Sequence, residues 1–171
     1  MTPSLFLLIL AIFFVFWIRD FYERLSSLRE ETEAAWNRVE KGFEKRDELI
    51  ASFVQVICEE QEKREDLAAL VWRQRGGSPF KGQVLQVLDL EERLKKKMEA
   101  LYREAKQSPS PPSEEEVGEM RVRLAASEME LSERLEDYNE LASAYNYLQR
   151  RLPGPLFAPL FDHSPADLQE N

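Results

Sequence analysis

Residues 2–18 read TPSLFLLILAIFFVFWI. No charge interrupts them, and residues 5–18 form an unbroken apolar run. A hydrocarbon core about 30 Å thick needs roughly 20 helical residues, with a lower limit near 17. With Thr2, Pro3 and Ser4 added, the stretch meets that limit. Phe13, Phe14, Phe16 and Trp17, then Phe21 and Tyr22, crowd its far end, where an interfacial aromatic belt sits. Every charged side chain lies after residue 18. The pattern predicts a membrane peg, residues 1–18, carrying a soluble rod.

A cleaved signal needs a basic leading region and a small-residue cleavage site. Only the amino terminus precedes the run. Its far end continues as WIRDFYERL, with no Ala-x-Ala pattern. The run is therefore expected to stay attached and to bind the lipid bilayer. Arg19, Arg24 and Arg29 lie just beyond it, and no basic side chain precedes it. The positive-inside bias then places the N-terminus outside and the body in the cytoplasm.

The 171 residues carry a net charge of -9. The 150 or so beyond the peg suit one soluble domain. One Cys and one His exclude a disulfide framework and a multi-histidine metal site. Acidity argues against a nucleic-acid partner, because phosphate binding needs a positive surface.

From residue 20 to about 74 there is no Pro and one Gly. Leu25, Leu28, Thr32, Ala35, Val39, Gly42, Arg46, Ile50, Phe53 and Ile57 follow steps of three and four, and Trp36, Phe43 and Leu49 widen the stripe. This predicts a long amphipathic helix with a coiled-coil-like seam, continuous with the peg. The seam thins after Cys58 and resumes at Leu67, Leu70, Val71 and Trp72. Gly76, Gly77, Ser78 and Pro79 form a stop. A second helix fits residues 82 or 83 to 106. Val84, Val87, Leu94, Met98, Leu101 and Ala105 share one face, which Glu91 interrupts. Lys95, Lys96 and Lys97 form its solvated side. The SPSPPS stretch, residues 108–113, precludes a helix. Ser113 before Glu114, Glu115 and Glu116 reads as an N-cap with acids in the first turn. A last helix then runs to about residue 152, with Leu131, Leu135, Tyr138, Ala142, Tyr145 and Gln149 on its seam.

The expected fold is all-α. An N-terminal transmembrane helix is followed by an elongated antiparallel bundle of three long helices, or four if the first breaks near Ala51. The bundle spans residues 19–161, and residues 162–171 are expected to fray. Leu156, Phe157, Leu160 and Phe161, set among Pro153, Pro155 and Pro159, are expected to cap the bundle end or to form a short docking segment.

Two segments carry a resemblance. The last helix holds Tyr138-Asn139 and Tyr145-Asn146, seven residues apart, then Gln149, Arg150 and Pro153. The first helix holds Ala35, Trp36, Val39, Arg46, Leu49, Ile50 and Val54. In order and spacing the chain resembles the LemA family, as a divergent or shortened member. The resemblance implies a membrane-anchored helical bundle and supplies no reaction. Ala51 stands where that family usually has Pro, Gly42 where it has an amide, and Leu152 where it has Phe.

Seven residues is two helical turns, so Tyr138 and Tyr145 point the same way and Asn139 and Asn146 form a second row. These four read as seam packing or as a groove for a partner. Arg46 cannot shed its charge, so its burial demands acceptors. Glu133, Glu136 or Asp137 are the expected ones. Trp36 reads as an aromatic core residue. His163 is isolated in the tail, no Glu-x-x-His pair suits a di-metal bundle, and no nucleophile is framed with a base. No cofactor, metal or small-molecule substrate is expected, and the chain reads as non-enzymatic. The expected function is a membrane-anchored scaffold or adaptor that binds a partner protein or its own copies. A membrane-remodelling lattice protein, a regulator of a membrane enzyme and a hydrolase with a carboxylate site outside known motifs are the alternatives.

Overall fold

The computed structural model describes residues 3–58, 65–66, 69, 77–108, 111–151, 153–157 and 163–168. Helix α1 spans Pro3–Ile57, α2 Gln83–Gln107, α3 Glu114–Arg150 and the single turn α4 Gly154–Phe157. With 55 residues, α1 is about 82 Å long. It passes Ala51 without a break, since alanine removes none of the backbone hydrogen bonds that proline would. It ends at Ile57, well short of residue 74, where the apolar seam gives way to a charged run. Cys58 is buried just past that end. Leu67, Leu70, Val71 and Trp72 lie outside the described residues. Cys58 belongs to the far end of the bundle, yet the Gly77 N–H donates to Glu40 Oε1 at 3.2 Å. Gly77 thus lies beside the middle of α1, away from Cys58.

Residues 4–17 are exposed throughout, although they are nearly all apolar. This is the one helix among the described residues long and apolar enough to cross a membrane. The change to bundle core is abrupt. Phe21, expected in the interfacial belt, is instead buried with Leu25. Only one helical turn separates it from Ile18.

The bundle is built on α1 against α3, running antiparallel. The Trp36 and Tyr138 rings meet at a tilt, 5.2 Å apart, and further along α1, Gly42 faces Leu131. A Cβ at Gly42 would lie 3.1 Å from Leu131 Cδ1 and 3.4 Å from Arg134 Cδ, so glycine here sets how closely the two helices approach. Polar contacts flank the spot. Lys45 Nζ binds Glu130 at 2.6 Å, and Arg134 Nη1 donates to the Arg38 carbonyl at 2.6 Å. The Lys45 ammonium, and then Arg134, hold the Glu130 carboxyl below its usual range.

Two apolar clusters divide the interior. The one nearer the apolar span gathers Leu25, Trp36, Val39, Phe80, Tyr138 and Tyr145. The distal one gathers Ile50, Phe53, Ile57, Leu94, Met98 and Leu101. Helix α2 runs in the same direction as α1, with Val84 in the first cluster and Leu94 to Ala105 in the second. At α3, Ser113 occupies the N-cap position, but its hydroxyl makes no cap hydrogen bond. Its carbonyl takes the Val117 N–H at 3.0 Å instead. Pro155 does not prevent α4, since proline is tolerated in a first helical turn.

Trp36 is 1 % exposed. Trp36→Ala should cost about 3–5 kcal/mol, measured as a loss of unfolding free energy in denaturant titrations. Gly42→Leu, which forces α1 and α3 apart, should be destabilising by about 1–3 kcal/mol in the same titration.

Candidate functional site

The polar residues of α3 converge on a strip of chain that the periodicity leaves unassigned. Tyr138, Tyr145, Asn146 and Gln149 recur on one side of α3 because 138, 145 and 149 share a helical face and 146 adjoins it. That side holds residues 163–168 in a non-helical strip. Asn146 Nδ2 donates to the Ala166 carbonyl and the Ala166 N–H donates to Asn146 Oδ1, both at 2.8 Å. The side-chain amide thus supplies the two bonds that a neighbouring strand would. Tyr138 Oη donates to the Asp167 carbonyl at 2.6 Å. Tyr145 Oη donates to the Ser164 carbonyl and lies 3.1 Å from His163 Nδ1. Gln149 Nε2 donates to the His163 carbonyl.

These six residues therefore do not fray. The sequence offers no hydrophobic periodicity there, and an isolated reading of DHSPADLQEN sees only polar tail. Their order comes from side chains on α3. His163 and Ala166 are buried, and the Tyr22 and His163 rings meet edge-on at 6.1 Å.

The strip also completes α2. Gly82 precedes that helix at φ 69 and gives no side-chain cap, and the first turn holds no acid. Asp167 supplies what is missing. Its Oδ2 accepts from the Val84 N–H at 3.4 Å, and its own N–H donates to the Pro79 carbonyl at 2.8 Å. A carboxylate is favoured at a helix N-terminus, where backbone donors are unsatisfied. The uncapped start of α2 was the one sequence signal that a distant residue had to contribute.

Arg46 lies between the two apolar clusters, and its side chain is 10 % exposed. Its expected partners on α3 are not the observed ones. Arg46 Nη2 pairs with Glu91 of α2 and lies 3.6 Å from Asp47 Oδ1. The register that sets Gly42 on Leu131 and Trp36 on Tyr138 carries Glu133, Glu136 and Asp137 toward the membrane end, away from Arg46. The interruption of the α2 face at Glu91 is therefore the counter-charge. The guanidinium also lies 5.3 Å from the centre of the Phe43 ring.

Between α2 and α3, over Arg46, lies an open cleft of about 1050 Å³. Asn139 borders it, and Leu168 of the strip lies at its edge. Of the remaining expected site residues, Leu156 and Phe157 fall in the turn of α4, with side chains outside the description, and Leu160 and Phe161 lie outside the described residues. Among the described residues no three His, Cys, Asp or Glu side chains are grouped to hold a metal ion.

Asn146→Leu should free the strip, costing about 1–3 kcal/mol of global stability. Hydrogen exchange should show faster exchange of the Ala166 and Asp167 amides. Burial, and then Asp167, push the Tyr138 hydroxyl well above its ordinary value of 10.0, and burial raises Tyr145. Both phenols are favoured neutral in the fold. Their contribution is therefore complete below pH of about 10 and declines as pH rises above it. Alkaline titration should release the strip, and Tyr138→Phe should reduce that pH dependence while lowering stability at neutral pH. Arg46→Met, which leaves Glu91 and Asp47 without their cation, should destabilise by about 3 kcal/mol, and Arg46→Met with Glu91→Leu by much less.

A sequence model of the LemA family matches residues 35–171, which takes in the Trp36 seam, the paired Tyr-Asn rows and the C-terminal strip. No curated protein and no solved structure matches the chain.

Proposed function

The chain belongs to the LemA family, and from that premise we propose that it is a membrane-anchored helical scaffold. It binds a partner protein, or its own copies, and performs no chemistry. The observation that carries this reading is the continuity of α1. One helix, Pro3–Ile57, supplies both the apolar span and the central element of the bundle, with no linker between. Phe21 and Leu25 are already core residues, so the bundle cannot swing freely on its anchor. Its surfaces are held at set heights above the lipid. Arg46, 28 residues beyond Ile18, lies about 42 Å along the helix axis.

Arg19, Arg24 and Arg29 favour a cytoplasmic body and an external N-terminus. Tyr138, Tyr145, Asn146 and Gln149 of α3 are committed to the chain's own strip, so they act as structural fasteners. Partner contacts fall to the faces they leave open.

Cross-linking of the full-length protein in its native membranes tests the scaffold. A specific adduct should form on the bundle surface, and a flexible Gly-Ser insert between Ile18 and Phe21 should reduce it strongly. Recovery of monomer alone, or an adduct indifferent to the insert, would overturn the reading. The protein should remain in the membrane pellet after a carbonate wash. In sealed inside-out vesicles added protease should digest the body.

A further inference from the structure

The geometry points to the cleft between α2 and α3 as a docking groove for a cationic amphipathic helix of a partner protein. The inference rests on the scaffold reading and specifies the partner. Four observations carry it.

First, α2 and α3 leave an opening of about 1050 Å³ between them. Its floor combines the apolar side chains of Phe43 and Ile50 of α1, Leu94 and Leu131 with the Arg46–Glu91 pair. Leu88 and Leu135 are only partly buried beside it, and Leu85 on its edge is 53 % exposed.

Second, the α3 wall ends in a row at four-residue spacing: Glu128, Ser132, Glu136 and Glu140. All four are exposed. The three carboxylates have no ion-pair partner among the described residues, whereas Asp89 and Glu92 on the α2 wall are paired with Arg93 and Lys96. The Arg46 cation at the floor is neutralised by Glu91 and Asp47. The groove is therefore largely oily at its base and carries three unpaired carboxylates along the α3 rim against the single Lys95 on the α2 side, within a chain of net charge -9.

Third, both walls are α-helices, whose backbone groups are satisfied internally. They offer no edge for an added strand, so recognition must run through side chains, as when a helix lays its apolar face in a groove. Fourth, the Glu128–Glu140 row rises about 18 Å, which fits an occupant of roughly three turns. Leu at i, i+3, i+4 and i+7 meets the floor, and Lys or Arg beside that stripe meets the carboxylates.

A fluorescein-labelled 15-residue peptide of Leu, Ala and Lys, patterned in that way, is the probe. Anisotropy is read against the full chain in zwitterionic nanodiscs, with empty nanodiscs as baseline. Saturable binding is expected, and a scrambled peptide of the same composition should lose it. The exposed triple variant Glu128→Lys/Glu136→Lys/Glu140→Lys should weaken binding at least about tenfold, and added salt should weaken it in the unaltered protein. Leu85→Asp is a second, solvent-facing variant that should weaken binding, with helicity and melting temperature confirming that both variants fold.

Equal affinity for the scrambled peptide, or for a version with Glu in place of Lys, would overturn the proposal. So would undiminished binding by the triple variant. If the membrane cross-link persists while the peptide fails to bind, the groove fails and the scaffold stands. If the cross-link fails as well, both fall.

Discussion

The structure depends on the approach of α1 to α3 at Gly42. A bundle of two long antiparallel helices has one sliding degree of freedom, the register, and side-chain volume usually sets it. Here glycine lets Leu131 lie almost on the α1 backbone, and the Trp36–Tyr138 ring contact lies two turns away. Sliding α1 by a turn would set Arg38, Val39, Lys45 or Arg46 against Leu131 in place of glycine. Once the register is fixed, the Lys45–Glu130 and Arg134–Arg38 contacts follow on the flanks. Exposed ion pairs such as Lys45–Glu130 are worth little individually. They decorate a register that packing has chosen.

The same register determines where charge can be buried. Arg46 is carried beyond Glu133, Glu136 and Asp137 of α3 and is answered from α2. Glu91 does this at the cost of an apolar position on the α2 face, which divides the interior into two clusters. A buried ion pair is weak support for stability, because desolvation offsets much of its attraction. What it contributes is a fixed height for α2 along α1. Asp167 does the same at the start of α2 by taking the Val84 N–H. Helix α2 is thus set at two polar points, and between α2 and α3 an opening remains.

The C-terminal strip shows how a short polar segment acquires order without a core of its own. Residues 163–168 bury little apart from Ala166 and His163. Their backbone groups are met one after another by Tyr138, Tyr145, Asn146 and Gln149. Removing such groups from water is costly unless each finds a partner. These four side chains of α3 supply the partners, so burial of Tyr138, Tyr145 and Asn146 goes together with ordering of the strip. The strip in turn leaves fewer polar groups of α3 open to other ligands.

The chargeless opening run, the three long helices and the amphipathic seam were all legible in the residues, because each is a local property of periodicity and composition. Val84, Leu94, Met98, Leu101 and Ala105 fall on the buried face of α2 as their spacing demands, and Trp36 is a core residue as its place in the stripe demands. The pairing of Arg46 with Glu91 and the ordered strip were decided only by tertiary structure. Each depends on which residue of one helix stands opposite which residue of another. Periodicity gives the face that a side chain occupies, but it is unchanged when a neighbouring helix slides by a turn. The partner of a charge or of a backbone amide is set by that slide.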